Sequence, residues 1–434
     1  MIINSLLINE WRQFEKVSIE FHPKLTILTG GNGAGKSTLL KIISSALGQS
    51  ETLIATPVFT EDRLFKYNSG VLRRKISLSK DDYVRNYNDI GSMSFSDGES
   101  CSLKVPKETG AAYSVLLFKE QNTYVNQVGN IPGFNGIFIR SHRPITSYQQ
   151  VGNIPTNVIT AQNAYSAYRE TINSFANNGY TQYSSTYRIK EAIISMATFG
   201  PGNLNVHGNE KINEIYNKFK EVLQKILPKE VGFKDISIRI PDVVLVTESG
   251  EFMLDSSSGG LMSLIDLAWQ ILLYTVDNPS CTVLLDEPEN HLHPSMQRTV
   301  MVSLTNAFPD VQFIVATHSP FVVTSVKDSY IYVLAYQQSS DNADENKISR
   351  KIHSGLLGGT NKSATASETL RDVLGVPVTM PMWAEEEIDS IAKKISTHPF
   401  TNDTLDMLRQ ELNASGLEEY FPSALNRLLE KKDD

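Results

Sequence analysis

The chain has 434 residues, 41% hydrophobic and 20% charged, an ordinary balance for a globular protein with a core to bury. Its formal net charge of −8 excludes a surface that coats nucleic acid throughout, and leaves room only for a local basic strip. The cysteines, Cys101 and Cys281, are too few and too far apart for a disulfide framework or a zinc site, so the composition points to a reducing cytoplasm.

The N-terminus, MIINSLLINEWRQF, lacks the cationic head and long apolar stretch of a signal peptide. No window approaches the ~18 apolar residues of a membrane span, so no membrane contact is expected. Residues 1–50 read as three short strands, IINSLLI, KVSIEF and LTILTG. The glycine loop GGNGAGKST follows, then the helical LLKIISSALG, which stops at Gly48. Residues 51–135 are polar and strand-like in pieces, punctuated by Asp-Gly, Thr-Gly and Asn-Gly turns; they predict an antiparallel β subdomain inserted in the core. The segment 136–231 opens with GIFIRSHRP, a strand returning to the core, and continues as a helical lobe. That lobe is rich in tyrosine (Tyr165, Tyr168, Tyr180, Tyr183, Tyr187), which reads as packing rather than base stacking. No sustained heptad appears, so long coiled-coil arms are not expected. QVGNIP occurs at Gln127 and again at Gln150, too short to be a structural repeat. From 232 to 359 strands and helices alternate again, and 360–434 predicts several short amphipathic helices.

Gly30 to Ser37 matches G-x-x-x-x-G-K-[ST] in full, between a strand and a helix as a phosphate loop requires. Its residues Gly30, Asn32, Gly33, Ala34, Gly35, Lys36, Ser37 and Thr38 are the expected contacts to nucleotide phosphates. Lys36 neutralises the β and γ phosphates, and Ser37 ligates Mg²⁺. Val283-Leu284-Leu285-Asp286-Glu287 is an apolar strand ending in two acids. Asp286 is expected to hold the Mg²⁺ shell and Glu287 to polarise the attacking water. His318 ends the strand FIVATHS at the sheet edge where α/β ligands sit, and is expected to sense the γ-phosphate. A second glycine turn, Ser257-Ser258-Gly259-Gly260, feeds an apolar helix. It reads either as a helix cap or as another phosphate grip.

In this order the pieces resemble the ABC-type ATPases, and more narrowly their non-transporter branch of RecF-like, SMC-like and OLD-like proteins. The resemblance rests on residues 1–50 and 232–335. It implies an α/β P-loop head, a mixed sheet flanked by helices, carrying the inserted β subdomain, the helical lobe and the helical tail. It also implies that Ser258, Gly259 and Gly260 grip the γ-phosphate held by a partner's loop, so two chains sandwich two ATPs. Leu261-Met262-Ser263-Leu264 after the turn is unlike the transporter signature. Glu289-Asn290-His291-Leu292-His293 invites a metal reading through its two histidines. The resemblance places the segment instead in the loop that communicates across the dimer, with Asn290 and His291 at the interface. One departure stands out. Where the family has a glutamine facing Mg²⁺, this chain has Arg140-Ser141-His142-Arg143, and Gln149 lies further on.

OLD-like relatives often carry a nuclease, but the roughly 75 residues after Thr360 show neither an acidic DxD cluster nor a His-Asn-His arrangement. The expectation is therefore a cytoplasmic ATP-driven dimeric switch that controls a separate nuclease or toxin. By analogy this resembles the ATPase component of prokaryotic anti-phage systems of the Septu or PARIS kind. Any DNA contact of this switch is expected at Arg73-Arg74-Lys75, which also reads as a solvated strand edge, or at Arg140/Arg143. A RecF-like DNA-repair ATPase, with a basic groove across the closed heads, is the alternative. A scaffold that binds ATP for assembly alone is the third; both acids being present argues against it.

Overall fold

The computed structural model describes residues 1–49, 51–59, 65–70, 86–121, 124–141, 148–153, 158–176, 179–338, 350–358, 366–373, 380–396 and 401–433. Arg73, Arg74, Lys75, His142 and Arg143 lie outside them. The chain divides into two compact units, a large one running to Thr369 and a small one formed by the tail.

Four strands of the large unit are buried along their whole length: Leu25–Gly30, Gly136–Ile139, Thr282–Asp286 and Gln312–Ala316. They are almost continuously apolar because both faces are covered, as parallel strands require. The pleat divides their side chains between two cores. Leu25, Ile27, Ile137, Ile139, Val283, Leu285, Phe313 and Val315 point one way, into the core shared with the helical lobe. Leu28, Phe138, Leu284, Ile314 and Ala316 point the other way, toward the helix Lys36–Ala46 and the N-terminal strands.

From one edge the sheet runs Gly136–Ile139, Thr282–Asp286, Gln312–Ala316, Leu25–Gly30 and Tyr330–Gln338, all parallel. Arg350–Leu356 turns back antiparallel, and Phe14–Glu20 pairs with it in parallel. Ile3–Trp11, Tyr87–Phe95, Ser100–Pro106, Leu116–Gln121 and Tyr124–Val128 then add antiparallel pairs. Most of the inserted β segment thus extends the main sheet. Ile3–Trp11 offers a second edge to Tyr87–Phe95, and alternating burial lets one face of the ribbon join the N-terminal core.

The helical lobe comprises Ala161–Ala176, Ser185–Phe199, Glu210–Ile226 and Gly259–Asp277. Gly259–Asp277 is long and apolar enough to cross a membrane by composition alone. In the fold it is the lobe's central core helix, with Leu264, Ile265, Leu267, Ala268 and Trp269 buried and Trp269 edge-on to Phe219. The tyrosines mostly pack: Tyr168 is buried with its hydroxyl on Asp266, Tyr183 stacks on Tyr187, and Tyr165 meets Tyr274, while Tyr180 is exposed. The two QVGNIP copies serve different cores, Ile131 in one and Val151 in the other.

The small unit packs Met382–Ser396, Asn402–Ala414 and Phe421–Asp433 around Ile388, Ile391, Leu408, Leu412 and Leu428.

Candidate functional site

The loop between Leu25–Gly30 and Lys36–Ala46 crosses the C-terminal edge of the parallel strands. Gly35 occupies the left-handed region at φ 86°, and a Cβ there would sit 2.4 Å from the Phe14 ring, so only glycine fits. No side chain caps the helix that follows, so its first N–H groups are unclaimed donors at the positive end of the helix dipole. Gly31, Asn32 and Gly33 are exposed, Ala34 is buried, and Thr38 lies on the first turn, half-buried.

Lys36 is 5% exposed. Its ammonium donates to the carbonyls of Gly30 (3.0 Å) and Gly31 (3.1 Å) and lies 3.4 Å from His318 Nδ1. Burial lowers its pKa to about 8, against the opposing pull of Glu287, Asp286 and Glu289. His318 is pushed below the ordinary histidine value, first by burial and then by Lys36. A neutral ring accepts from Lys36 at Nδ1 and so carries its proton at Nε2. Nε2 is 4.0 Å from Glu287 Oε1.

Asp286 and Glu287 are neighbours in sequence, yet both reach this edge. Asp286 is the last strand residue and accepts from the Ser37 hydroxyl at 3.0 Å. Glu287 then takes a left-handed backbone, φ 48°, with its N–H on the Ala316 carbonyl at 2.8 Å. That turn breaks the in–out alternation that would have sent the second acid to the opposite face. Burial raises the Asp286 pKa, and the Ser37 hydrogen bond opposes the shift. A hydroxyl and a carboxylate oxygen side by side are the hard donors Mg²⁺ takes, and the ammonium with the free helix N–H groups suits phosphate oxygens. Among the described residues no cluster of three or more histidines, cysteines or acids forms a metal site, the His291–His293 pair included. His293 Nδ1 instead accepts from the Ser295 N–H.

The sequence placed Glu289 only within the loop that communicates across the dimer and did not expose its role inside the chain. One of its oxygens accepts from Thr317 Oγ1 (2.6 Å), His318 N (3.0 Å) and Ser319 N (3.2 Å), tying the acidic turn to the end of the histidine strand. Its only signal was an acid two residues past the acidic pair. Asn290 donates to Glu287 Oε2 at 3.0 Å and to the Ser141 carbonyl at 3.4 Å, so this expected interface residue also anchors the acid inside its own chain. Of the residues considered for the missing glutamine, Arg140 pairs with Glu51 at 2.5 Å. Gln149 bonds to Gln182 and Ser184 of the lobe, and Ser141 contributes the carbonyl just described.

Ser258, Gly259 and Gly260 sit apart from this cluster. Ser258 caps the helix Gly259–Asp277, accepting from Leu261 N at 3.4 Å. A Cβ on Gly260 would come to 3.0 Å from the His291 carbonyl, so the helix start packs closely on the 290–293 loop. Upstream, the fully buried Lys190 places its ammonium 2.7 Å from Asp255 and donates to the Gln149 carbonyl at 2.7 Å.

Residues 2–342 match the family model described as RecF/RecN/SMC N terminal domain. The Retron Vc95 probable ATPase of Vibrio cholerae serotype O1 biovar El Tor is 25% identical over 379 residues, 76% of this chain and 73% of that protein. The Septu protein PtuA of Bacillus mycoides (strain KBAB4) is 26% identical over 243 residues, 51% of this chain but 33% of that protein. The SMC head bound to the C-winged helix domain of ScpA is similar over 83% of this chain, with 15% identity and a TM-score of 0.44.

Proposed function

The chain belongs to the RecF/RecN/SMC N-terminal domain family, and we propose that it hydrolyses ATP, closes on a second copy around two ATPs, and thereby controls a separate effector in anti-phage defence. The observation that carries this reading is the meeting of Lys36, Ser37, Asp286, Glu287 and His318, from three strand ends, at one sheet edge. In this reading Lys36 and the N–H groups from Gly33 to Thr38 hold the phosphates, and Ser37 and Asp286 hold Mg²⁺. When bound, Mg²⁺ supplies charge neutralisation on the phosphate oxygens. Glu287, fixed by Asn290 through one oxygen, orients a water with the other and takes its proton. His318, neutral and donating from Nε2, faces the terminal phosphate.

Ser258 and the exposed helix start at Gly259 complete the site of the other copy, with the family resemblance as support. Retron and Septu proteins among the relatives support the defence role. The effector contact is assigned to the small C-terminal unit, where Met382 and Trp383 are 78% and 61% exposed.

The test is the solution mass of Glu287→Gln by light scattering, with and without Mg·ATP. ATP-dependent doubling is expected. A monomer under both conditions would overturn the dimeric switch, and an ATP-independent assembly would move the interface away from the nucleotide.

A further inference from the structure

The strand Leu25–Gly30 has a neighbour on each side, and they do different work. Gln312–Ala316 leads to His318, and Thr282–Asp286 beyond it brings Asp286 and Glu287. Lys36 leans toward this flank. The other flank of the loop is the strand Tyr330–Gln338.

On that strand Leu334 pairs with Gly30. Tyr336 lies two residues on, beyond the end of Leu25–Gly30 and on the same face as Leu334. Tyr332 and Leu334 are buried, whereas Tyr336 is 48% exposed. Its hydroxyl donates to the Gly33 carbonyl at 3.1 Å, which ties the ring to the loop. Two other large rings among the described residues near this edge are already engaged. Trp11 and Phe14 are fully buried, Trp11 donating to the Ser69 carbonyl and Phe14 filling the space beside Gly35. The strand therefore carries an aromatic face that the core does not use, tethered to the phosphate loop on the side away from the acids.

We propose that Tyr336 is the platform on which the purine base of the bound nucleotide packs. This rests on the reading of Gly30–Thr38 as a phosphate loop. A base on an aromatic ring gains from the ring face and needs no hydrogen bond to it. The hydroxyl is then a tether that sets the ring's angle, and the ring itself supplies the binding.

Calorimetric titration of the full chain with Mg·ATP and with Mg·tripolyphosphate separates these parts. Tyr336→Ala should weaken ATP about tenfold or more and leave tripolyphosphate unchanged, while Tyr336→Phe should stay within about twofold of wild type for ATP. Equal weakening of both ligands by Tyr336→Ala would reduce Tyr336 to a prop for the loop and overturn the proposal. So would unchanged ATP binding in Tyr336→Ala, or a loss in Tyr336→Phe as large as in Tyr336→Ala. Should wild type bind neither ligand, the phosphate-loop reading itself would fall, an outcome distinct from any effect at Tyr336.

Discussion

Among the described residues two helix starts are led by glycine, and they are finished differently. The helix Lys36–Ala46 begins without a side-chain cap, and a lysine, a histidine and two acids gather around its first turn. The helix Gly259–Asp277 begins with its cap in place, exposed at Ser258 and Gly259 and backed by the 290–293 loop. Among the described residues, no hydrogen bond joins it to Lys36 or Ser37. The first start has lysine, hydroxyl, acid and histidine gathered within one chain. The second is a capped, glycine-led helix N-terminus with none of those groups, which is how half of the shared site proposed above would look.

The sharpest way to break that contrast is to damage each start separately. Lys36→Ala removes the one cation on the loop and should abolish ATP binding in a calorimetric titration; unchanged affinity would dismantle the first half of the comparison. Glu287→Gln should bind ATP and hydrolyse it ~10²-fold more slowly, the usual size of general-base help. Wild-type turnover would mean that another group takes the proton. Ser258→Arg should leave each chain's nucleotide binding intact and block hydrolysis, because the arginine intrudes only when a second copy arrives. Normal turnover in that variant would leave Ser258 as a cap and nothing more.

The second start is held from behind by an ion pair rather than by apolar packing alone. Lys190 is wholly buried and Asp255 nearly so, and they fix the turn that leads into Ser258. Lys190→Met deletes the charge and keeps the bulk, leaving a buried carboxylate unpaired at a cost of about 3–5 kcal/mol. Chemical denaturation should show that loss, while the loop at Lys36 keeps its ATP affinity in whatever fraction stays folded. An unshifted denaturation midpoint would mean that the pair does not hold the turn.

The two starts also differ in how far the sequence exposes them. The parallel strands are legible because burial on both faces writes itself as unbroken apolar runs, and the loop because its glycines and lysine obey a fixed spacing. The continuity of the inserted strands with the main sheet was hidden, since antiparallel pairing alternates in the same way whether or not it forms a separate sheet. Glu289 and the Lys190–Asp255 pair were hidden for another reason. Each joins positions 28 to 65 residues apart, and a lone acid or lysine in a sequence does not say what it will meet. Tyr336 reads as one more strand aromatic until the register sets it beside Gly33.

The smallest expected effect is on pH dependence, and it too belongs to the first start alone. Burial brings Lys36 to about 8 in the free chain. Bound phosphate oxygens favour the ammonium, so the lysine's pKa must rise on binding. Below pH 8 the charge is already present and affinity is flat with respect to this group. Above pH 8 the free chain has given up the proton and must take it back to bind, so affinity falls by up to tenfold per pH unit. In the free chain the lowered pKa of His318 leaves it neutral throughout this range. Titrating Glu287→Gln with Mg·ATP at pH 8.5, in two buffers of different ionisation enthalpy, reads the proton directly. Heats that differ between the buffers, in the sense of uptake by the protein, are expected. Identical heats would show that Lys36 keeps its proton through pH 8.5 even without the Glu287 charge, and that Asp286 and Glu289 outweigh the burial that sets this helix start apart from the other.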